Sequence, residues 1–401
     1  MTFFALAFGA RILSVLSALT VALLVEPAVF GLYGRLQMVS LIFMAFVFLR
    51  MERAVVTAPS LEDAFRAIRF GLFLSPGLAI ATALASPFLI PDLVVSNAPP
   101  MAIYLYAAVL FGRSLILLLH SWLSRFQCQK QISLMIGLQS IVQFITQFAM
   151  LWLGVTPLLA LLAGECLGAI TVAIISISIK KSIIKNVFRS RFKKSFFIRW
   201  QTLPLYNLPA SLMSQATVSL PLITIGRIAD PITTGHIALA WRVSEAPMQL
   251  LAATATTLAV TAGIWSRGKL IASDKKNAAI FVALIVAATL TLLLISHFAG
   301  ALDFNMRISN TAGYIPIVTL LTAGIALGAP HADLVTYAGS ERLAFLVHAV
   351  CFGLACLIFS YATEPFQALY WFAAVIMIRS VCLWILLPFA LRNKVSTKKL
   401  A

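Results

Sequence analysis

The chain has 401 residues, of which 61% are hydrophobic and only 11% charged, and its formal net charge is +17. A composition this apolar excludes a soluble globular domain and predicts helices that cross a membrane. The basic excess would also suit nucleic acid. Membrane proteins, however, collect Lys and Arg in their cytoplasmic loops, so we expect no nucleic-acid partner.

Twelve apolar runs follow one another along the chain. A helix needs about 20 residues to cross the hydrocarbon core, and it satisfies its own backbone hydrogen bonds there. The first six runs cover residues 3–25, 32–50, 71–91, 100–123, 132–154 and 156–178. The last six cover residues 204–226, 234–263, 278–299, 311–330, 343–362 and 367–391. We therefore predict an all-α polytopic membrane protein with about 12 transmembrane helices.

Lys and Arg are concentrated in alternate gaps between these runs, whereas the intervening gaps hold acids such as Glu26, Asp92 and Asp230. Cytoplasmic loops are the basic ones, so both termini are predicted to be cytoplasmic. We expect an N-terminal six-helix lobe over residues 1–179 and a C-terminal one over 201–391. A basic linker at 180–200 and a basic tail at 392–401 would lie in the cytoplasm.

A short repeat supports the division into two halves. Glu26-Pro27 precedes a glycine at position 31, and Asp230-Pro231 precedes one at position 235, about half the chain further on. Each copy follows the first helix of its half on the outer side, where proline ends one helix and glycine relaxes the next. Copies on the same side predict two parallel repeats related by an axis along the membrane normal.

Amide and hydroxyl side chains form stripes on two of the predicted helices. The stripes are Gln139, Gln143 and Gln147 in the fifth run, and Asn207, Ser211 and Gln215 in the seventh. Spacings of four residues put each set on one helix face. The stripes suit either hydrogen bonds between helices or a wet cavity that binds sugar hydroxyls.

Ionisable residues also lie inside the apolar runs: Arg11, Arg35, Arg113, His120, Glu165, Arg242, Glu245 and Arg379. A charge at the bilayer centre costs about 3 kcal/mol or more, so such residues usually face a bundle interior or water. We expect Arg35 to extend toward the membrane surface and Arg242 to pair with Glu245, three residues on. Arg11, Arg113 and Arg379 have no local partner, which favours an interior that holds an anionic cargo.

Four segments resemble Wzx-type polysaccharide flippases, which belong to the MOP superfamily of MATE-like exporters. The segments are residues 24–33 (LVEPAVFGLY), 49–56 (LRMERAVV), 122–126 with 139–142, and 235–247 (GHIALAWRVSEAP). The first is similar to the family's L-x-P-x-x-F-G-x-Y turn. The last is similar to its G-x-Y-A-L-A-x-R-x-x-x-x-P helix, although His236-Ile237 replaces a small-aromatic pair. The resemblance covers most of residues 1–260.

The resemblance implies a MATE-like fold of two six-helix lobes with a central cavity that opens alternately to each side. It implies a flippase in the bacterial inner membrane that moves a polyprenyl-pyrophosphate-linked oligosaccharide to the periplasmic leaflet for lipopolysaccharide or exopolysaccharide synthesis. Its partners would be that lipid-linked oligosaccharide, membrane lipids and a polysaccharide polymerase with its chain-length machinery. No covalent step, cofactor or metal is required, so we expect a transporter and not an enzyme.

The candidate site residues take roles under this hypothesis. Pyrophosphate or acidic sugars would bind the cavity residues Arg11, Arg113, His120, Arg242 and Arg379. The stripes of Gln139, Gln143, Gln147, Asn207, Ser211 and Gln215 would bind sugar hydroxyls. Glu165 or Glu245 would carry a coupling ion.

Three other functions remain open. A MATE-type multidrug exporter would rely on interior carboxylates, but interior Arg outnumber Glu five to two here. A membrane glycan polymerase or ligase would need a large outer loop with catalytic residues. The gap near 300–310 offers only Asp303 and Arg307. A non-transporting scaffold would tolerate neutralisation of the interior charges.

Overall fold

The computed structural model describes residues 20–95, 99–126, 128–179, 181–265, 270–301, 310–337 and 341–398, together with residues 9, 13, 16 and 17. Within these ranges the regular elements are helices and none is a strand. The first part of the chain forms α1 (Pro27–Phe46), α2 (Glu52–Thr57), α3 (Leu61–Leu89), α4 (Asp92–Val95), α5 (Met101–Arg125), α6 (Gln129–Trp152), α7 (Pro157–Ile179), α8 (Lys181–Arg189) and α9 (Lys194–Trp200). After a π-helical turn at Leu203–Asn207 come α10 (Leu208–Ile228), α11 (Pro231–Trp265), α12 (Leu270–Ala301), α13 (Ile315–Tyr337), α14 (Glu341–Tyr361) and α15 (Pro365–Lys398).

The helices match the predicted spans. Eleven of the twelve apolar runs coincide with a long helix, and the first run lies mostly outside the described residues. Among the described residues, nine helices are long and apolar enough to cross a membrane, and Ile315–Ala329 is a shorter apolar segment. The chain is therefore an all-α multi-pass membrane protein, as the composition predicted.

Both copies of the acid-proline repeat mark the start of a helix. Pro27 and Pro231 are the first residues of α1 and α11, a position where the missing proline N–H costs nothing. The preceding acid caps the helix only in the second copy. Asp230 Oδ1 accepts the backbone N–H groups of Ile232 and Thr233, both at 2.9 Å, whereas the Glu26 side chain makes no cap hydrogen bond.

The cap at the start of α11 lowers the pKa of the Asp230 carboxyl group. Hydrogen bonds from the side chain and backbone of Thr233, with a further one from the backbone of Ile232, hold the pKa of Asp230 below its ordinary value. A carboxylate that accepts N–H groups is favoured in its charged form. Gly31 and Gly235, which we expected to relax the chain, are each the fifth residue of their helix, α1 and α11.

The contacts divide the chain into two compact units, Met1–Gln215 and Ala216–Ala401. In the first unit α7 packs against both α5 and α6, and Gly112 lets α5 approach closely. A Cβ on Gly112 would lie only 2.8 Å from the Cβ of Ala169 on α7. In the second unit α13 packs against α11 and α15. There the Ser380 hydroxyl donates to the Gly324 carbonyl at 2.6 Å, across the contact of α15 with α13.

Residues 180–200, predicted as a basic linker, contain the two short helices α8 and α9, and α8 contacts α3. Phe196 of α9 and Val187 of α8 are buried in a core with Trp122 of α5 and Ala64 of α3. The segment is therefore a packed part of the first unit.

Candidate functional site

A buried polar cluster joins three helices of the first unit. Arg113 on α5 donates through Nε to Glu165 Oε1 on α7, and its other nitrogens donate to Ser40 Oγ and Gln37 Oε1 on α1. The second carboxylate oxygen of Glu165 accepts the Tyr33 hydroxyl at 2.9 Å and the Gln37 amide. The Glu165 side chain is only 2% exposed. Both charges of this pair are thus compensated within the helix bundle.

The spacing of residues on α1 explains how the cluster assembles. Tyr33, Gln37 and Ser40 lie at positions i, i+4 and i+7, which is one helical face. That face is held against α5 by a further hydrogen bond, from the Tyr106 hydroxyl to the Leu36 carbonyl at 2.8 Å. Sequence reasoning missed these three α1 residues, although their helical spacing within an apolar run was a signal for them.

Arg113 has no local partner, as expected, but it has a distant one. Its partner Glu165 is 52 residues further along the chain, so no local spacing could have revealed it. A buried charge is tolerable when a partner and further hydrogen bonds satisfy it, and this cluster supplies both. A role of Arg113 in cargo binding and of Glu165 in ion coupling stays a prediction.

Arg35 also has a partner that the sequence did not reveal. Its Nη2 lies 2.5 Å from Asp92 Oδ2 of α4, and its side chain is buried. Arg35 thus ties α1 to the segment between α3 and α5. Its expected extension toward the membrane surface stays a prediction.

The predicted pair on α11 is confirmed. Arg242 Nη1 lies 3.7 Å from Glu245 Oε2, and Glu245 Oε1 accepts the Gln249 amide at 2.6 Å. The Arg242 side chain is 38% exposed. Because 3.7 Å exceeds hydrogen-bond length, this pair is an electrostatic contact only. An exposed charge in a membrane helix faces water or a polar ligand, so this polar face of α11 is a candidate binding surface.

Arg379 lies in the interior of the second unit and not on an open surface. It is 3% exposed on α15, within electrostatic range of His348 and Cys351 on α14. Arg11 lies outside the described residues, and His120 is half-buried on α5, two turns beyond Arg113. The cavity roles of these three residues stay predictions.

The glutamine stripe on α6 faces a neighbouring helix. The Gln147 amide donates to the Leu161 carbonyl of α7 at 3.0 Å. A Cβ on Gly168 of α7 would lie 2.9 Å from the Gln139 carbonyl and 3.2 Å from the Gln143 Cβ. Of the two interpretations of the glutamine stripe, the interface between α6 and α7 therefore favours hydrogen bonds between helices and not a wet cavity.

The second stripe begins at an unusual backbone feature. Asn207 ends the π-helical turn, is buried, and accepts the Arg50 Nε–H through Oδ1 at 3.3 Å. Arg50 itself has a φ of 65° and pairs with Glu52 at 3.1 Å. Asn207 therefore holds the turn after α1 through its Oδ1 atom. Ser211 and Gln215 are half-buried. The sugar-binding role of all three residues stays a prediction.

Comparison with known proteins relates this geometry to a fold. No protein-family model matches the chain, and no curated protein matches its sequence. Among solved structures, a MATE transporter in a straight conformation matches with a TM-score of 0.68 and 14% identity over 100% of this chain and 95% of its own. The Vibrio cholerae MATE transporter VcmN, in its bent form, matches with a TM-score of 0.63 and 13% identity, and 98% of each chain is covered.

A third structure is a MOP superfamily transporter from Pyrococcus furiosus, for which a reverse polarity of the binding pocket suggests a different function. It matches with a TM-score of 0.68 and 12% identity over 99% of this chain and 95% of its own. Identities this low establish the fold alone. The chain has the two-lobed, twelve-helix fold of MATE transporters of the MOP superfamily.

Proposed function

We propose that the chain is an alternating-access exporter that moves a polyprenyl-pyrophosphate-linked oligosaccharide across the bacterial inner membrane. The observation that carries the transporter role is the likeness to MATE transporters over 98–100% of the chain. The proposed cargo rests on the segments that resemble Wzx-type flippases. The turn at 24–33 contains the start of α1, and the segment at 235–247 lies in α11 and contains Arg242.

The charges of the described spans support a cargo that is not cationic. Glu165 and Glu245, the carboxylates that sequence reasoning placed in the spans, are each paired with an arginine. A cationic drug would need a carboxylate that is not already compensated. Arg242 presents exposed guanidinium donors, and a guanidinium fork suits the oxygens of a pyrophosphate or an acidic sugar.

Within this proposal the buried cluster and the exposed pair have different tasks. Arg113 holds α1, α5 and α7 together through Glu165. Arg242, with Glu245 and Gln249 on the same face of α11, contacts the cargo. No covalent bond changes, so the proposed protein is a transporter without a cofactor.

The test is a reconstituted flipping assay. Purified protein in liposomes is given a fluorescent polyprenyl-pyrophosphate oligosaccharide, and a membrane-impermeant reductant quenches only the outer leaflet. Transport predicts that the protected inner pool is lost in liposomes with protein and retained in empty liposomes. The same protected fraction in both would contradict the proposed cargo.

A multidrug exporter of the MATE type is the second candidate, and the fold supports it equally. Several of the similar structures are multidrug resistance MATE transporters. This candidate predicts that expression in a drug-sensitive bacterial strain raises resistance to cationic dyes. We expect no such resistance, because Glu165 and Glu245 are paired with arginine.

A further inference from the structure

Residues 185–199 of α8, α9 and the turn between them are held firmly against α3. Arg69 of α3 donates to the carbonyls of Phe188, at 3.2 Å, and Ser190. Arg66 donates through Nε to the Arg191 carbonyl at 3.0 Å. Because hydrogen bonds to three carbonyls within four residues fix the turn, the side chains that it displays have defined positions. We call this surface the α8–α9 platform.

The length of α3 places the platform at the edge of the bilayer. With 29 residues, α3 is about 43 Å long and exceeds a hydrocarbon core of about 30 Å by roughly nine residues. The excess at the basic end runs from Leu61 to Arg69, and Phe73, one turn beyond, is 62% exposed, as a lipid-facing ring would be. The Phe192 ring of the platform lies 6.5 Å from the Phe73 ring. We therefore expect Phe192 to lie where headgroups meet acyl chains.

The Arg69 guanidinium stacks on both the Phe73 ring and the Phe192 ring and so holds the platform against α3. The Arg69 guanidinium carbon lies 5.1 Å from the Phe192 ring centre and 5.6 Å from that of Phe73. Phe188 is 57% exposed and Ile198 56% exposed on the same platform. Exposed apolar side chains among basic ones are typical of segments that lie in a membrane interface.

The basic side chains of the platform outnumber its acidic neighbours. Exposed Lys and Arg are found at Lys185, Arg189, Arg191, Lys193, Lys194 and Arg199. Glu62 and Asp63 of α3 lie 3.8 Å from Lys193 and 2.6 Å from Arg199. In the described part of the chain, no ion pair involves Arg189, Arg191 or Lys194. Lys185 has no ion pair in that part either, so four of the six cations remain for anions of the membrane surface.

We propose that the α8–α9 platform binds the phosphate headgroups of anionic phospholipids in the cytoplasmic leaflet. Arg189, Arg191 and Lys194 bind the phosphates, while Phe188, Phe192 and Ile198 enter the acyl boundary. Each basic residue near an anionic surface contributes a favourable interaction, and the apolar anchors add area to it. This binding is independent of the cargo and of the transport cycle.

The experiment measures lipid selectivity on the full-length protein. Native mass spectrometry would count phosphatidylglycerol against phosphatidylcholine retained by protein purified in mixed micelles of the two lipids. We expect phosphatidylglycerol to be preferred, and the triple variant R189Q/R191Q/K194Q to lower that preference by roughly fivefold or more. Inorganic phosphate should not compete, because a free ion has no acyl chain to bind Phe192.

The matched control is R267Q/K269Q/K275Q, which removes the same charge from another predicted cytoplasmic gap. It should leave the preference unchanged. A second variant, F192S, keeps every charge and should lower retention of both lipids. An equal loss in the control, an unchanged ratio in the triple variant, or no preference in the native protein would overturn the proposal. None of these readouts depends on flipping, so they stand apart from the test of the cargo.

Discussion

The guanidinium of Arg113 on α5 and the carboxylate of Glu165 on α7 form a buried ion pair inside the first unit. Tyr33, Gln37 and Ser40 of α1 supply the remaining hydrogen bonds, so neither charge is left unsatisfied. The pair and its hydrogen bonds therefore hold three membrane helices together.

Neutralising one residue of the Arg113–Glu165 pair should lower the free energy of unfolding more than neutralising both. Glu165→Gln leaves the partly buried Arg113 without its counter-charge. The same change in fully buried pairs costs about 3–5 kcal/mol, which is an upper bound here. We expect a marked loss in the free energy of unfolding, measured by titration with a denaturing detergent. The double variant R113Q/E165Q should lose less than E165Q alone, and therefore less than the sum of the single variants. Additive losses would show that the two side chains are not coupled.

Close packing of α5 on α7 predicts an opposite response of two glycines to the same substitution. Gly112→Ala would put a Cβ 2.8 Å from the Cβ of Ala169, and overpacking of this kind costs about 1–3 kcal/mol. Gly353→Ala on α14 is the control, since its Cβ would meet nothing within 4 Å. A helix gains about 1 kcal/mol from alanine over glycine. The thermal midpoint should fall for G112A and hold or rise for G353A, and equal shifts would contradict the packing.

The exposed Arg242 predicts a transport effect without a stability effect. Arg242→Gln removes the guanidinium that we assign to the cargo, so the flipping rate in liposomes should fall about tenfold or more, the scale of a lost charged hydrogen bond. Arg242→Lys should recover part of the rate, because it keeps the charge but loses the planar fork. The thermal midpoint should stay near that of the native protein. Normal flipping by R242Q would remove this residue from the proposed site.

The cap at the start of α11 predicts a pH-dependent stability. The pKa of Asp230 is lowered in the folded protein by its Thr233 hydrogen bonds, so its stabilising contribution is present above the ordinary pKa of 3.8. That contribution disappears as the pH falls through the still lower folded pKa. Asp230→Ala should cost about 1 kcal/mol at neutral pH and less at strongly acidic pH, where the protonated carboxyl is a weaker acceptor.

Two variants control this prediction. Asp230→Asn also caps a helix, so it should keep most of the stability and lose the pH dependence. Glu26→Ala should cost less, because Glu26 makes no side-chain cap bond at α1. Thermal midpoints across the pH range would measure all three. A constant difference between D230A and the native protein at every pH would contradict the role of the charge.

The candidate site shows where sequence reasoning succeeded and where it did not. Arg242 and Glu245 are three residues apart on one helix, so helical periodicity predicted their pairing correctly. Arg35 and Asp92 are 57 residues apart, and their contact depends on which face α1 turns toward α4. The spacing of Gln139, Gln143 and Gln147 gave a face correctly, but only the position of α7 showed what that face contacts.

Hydropathy and charge are properties of a segment itself, and by themselves they determined eleven observed helices, their approximate ends and the all-α membrane class. The tertiary structure decided which interior charges are neutralised, because helix rotation and close approach at small residues such as Gly112 bring distant side chains together. It also decided that the α8–α9 platform packs on α3, through carbonyl contacts to Arg66 and Arg69 that no local pattern encodes. Which side chains pair inside a helix bundle depends on how the helices are rotated and packed against one another. The order of residues along a single helix does not contain that information.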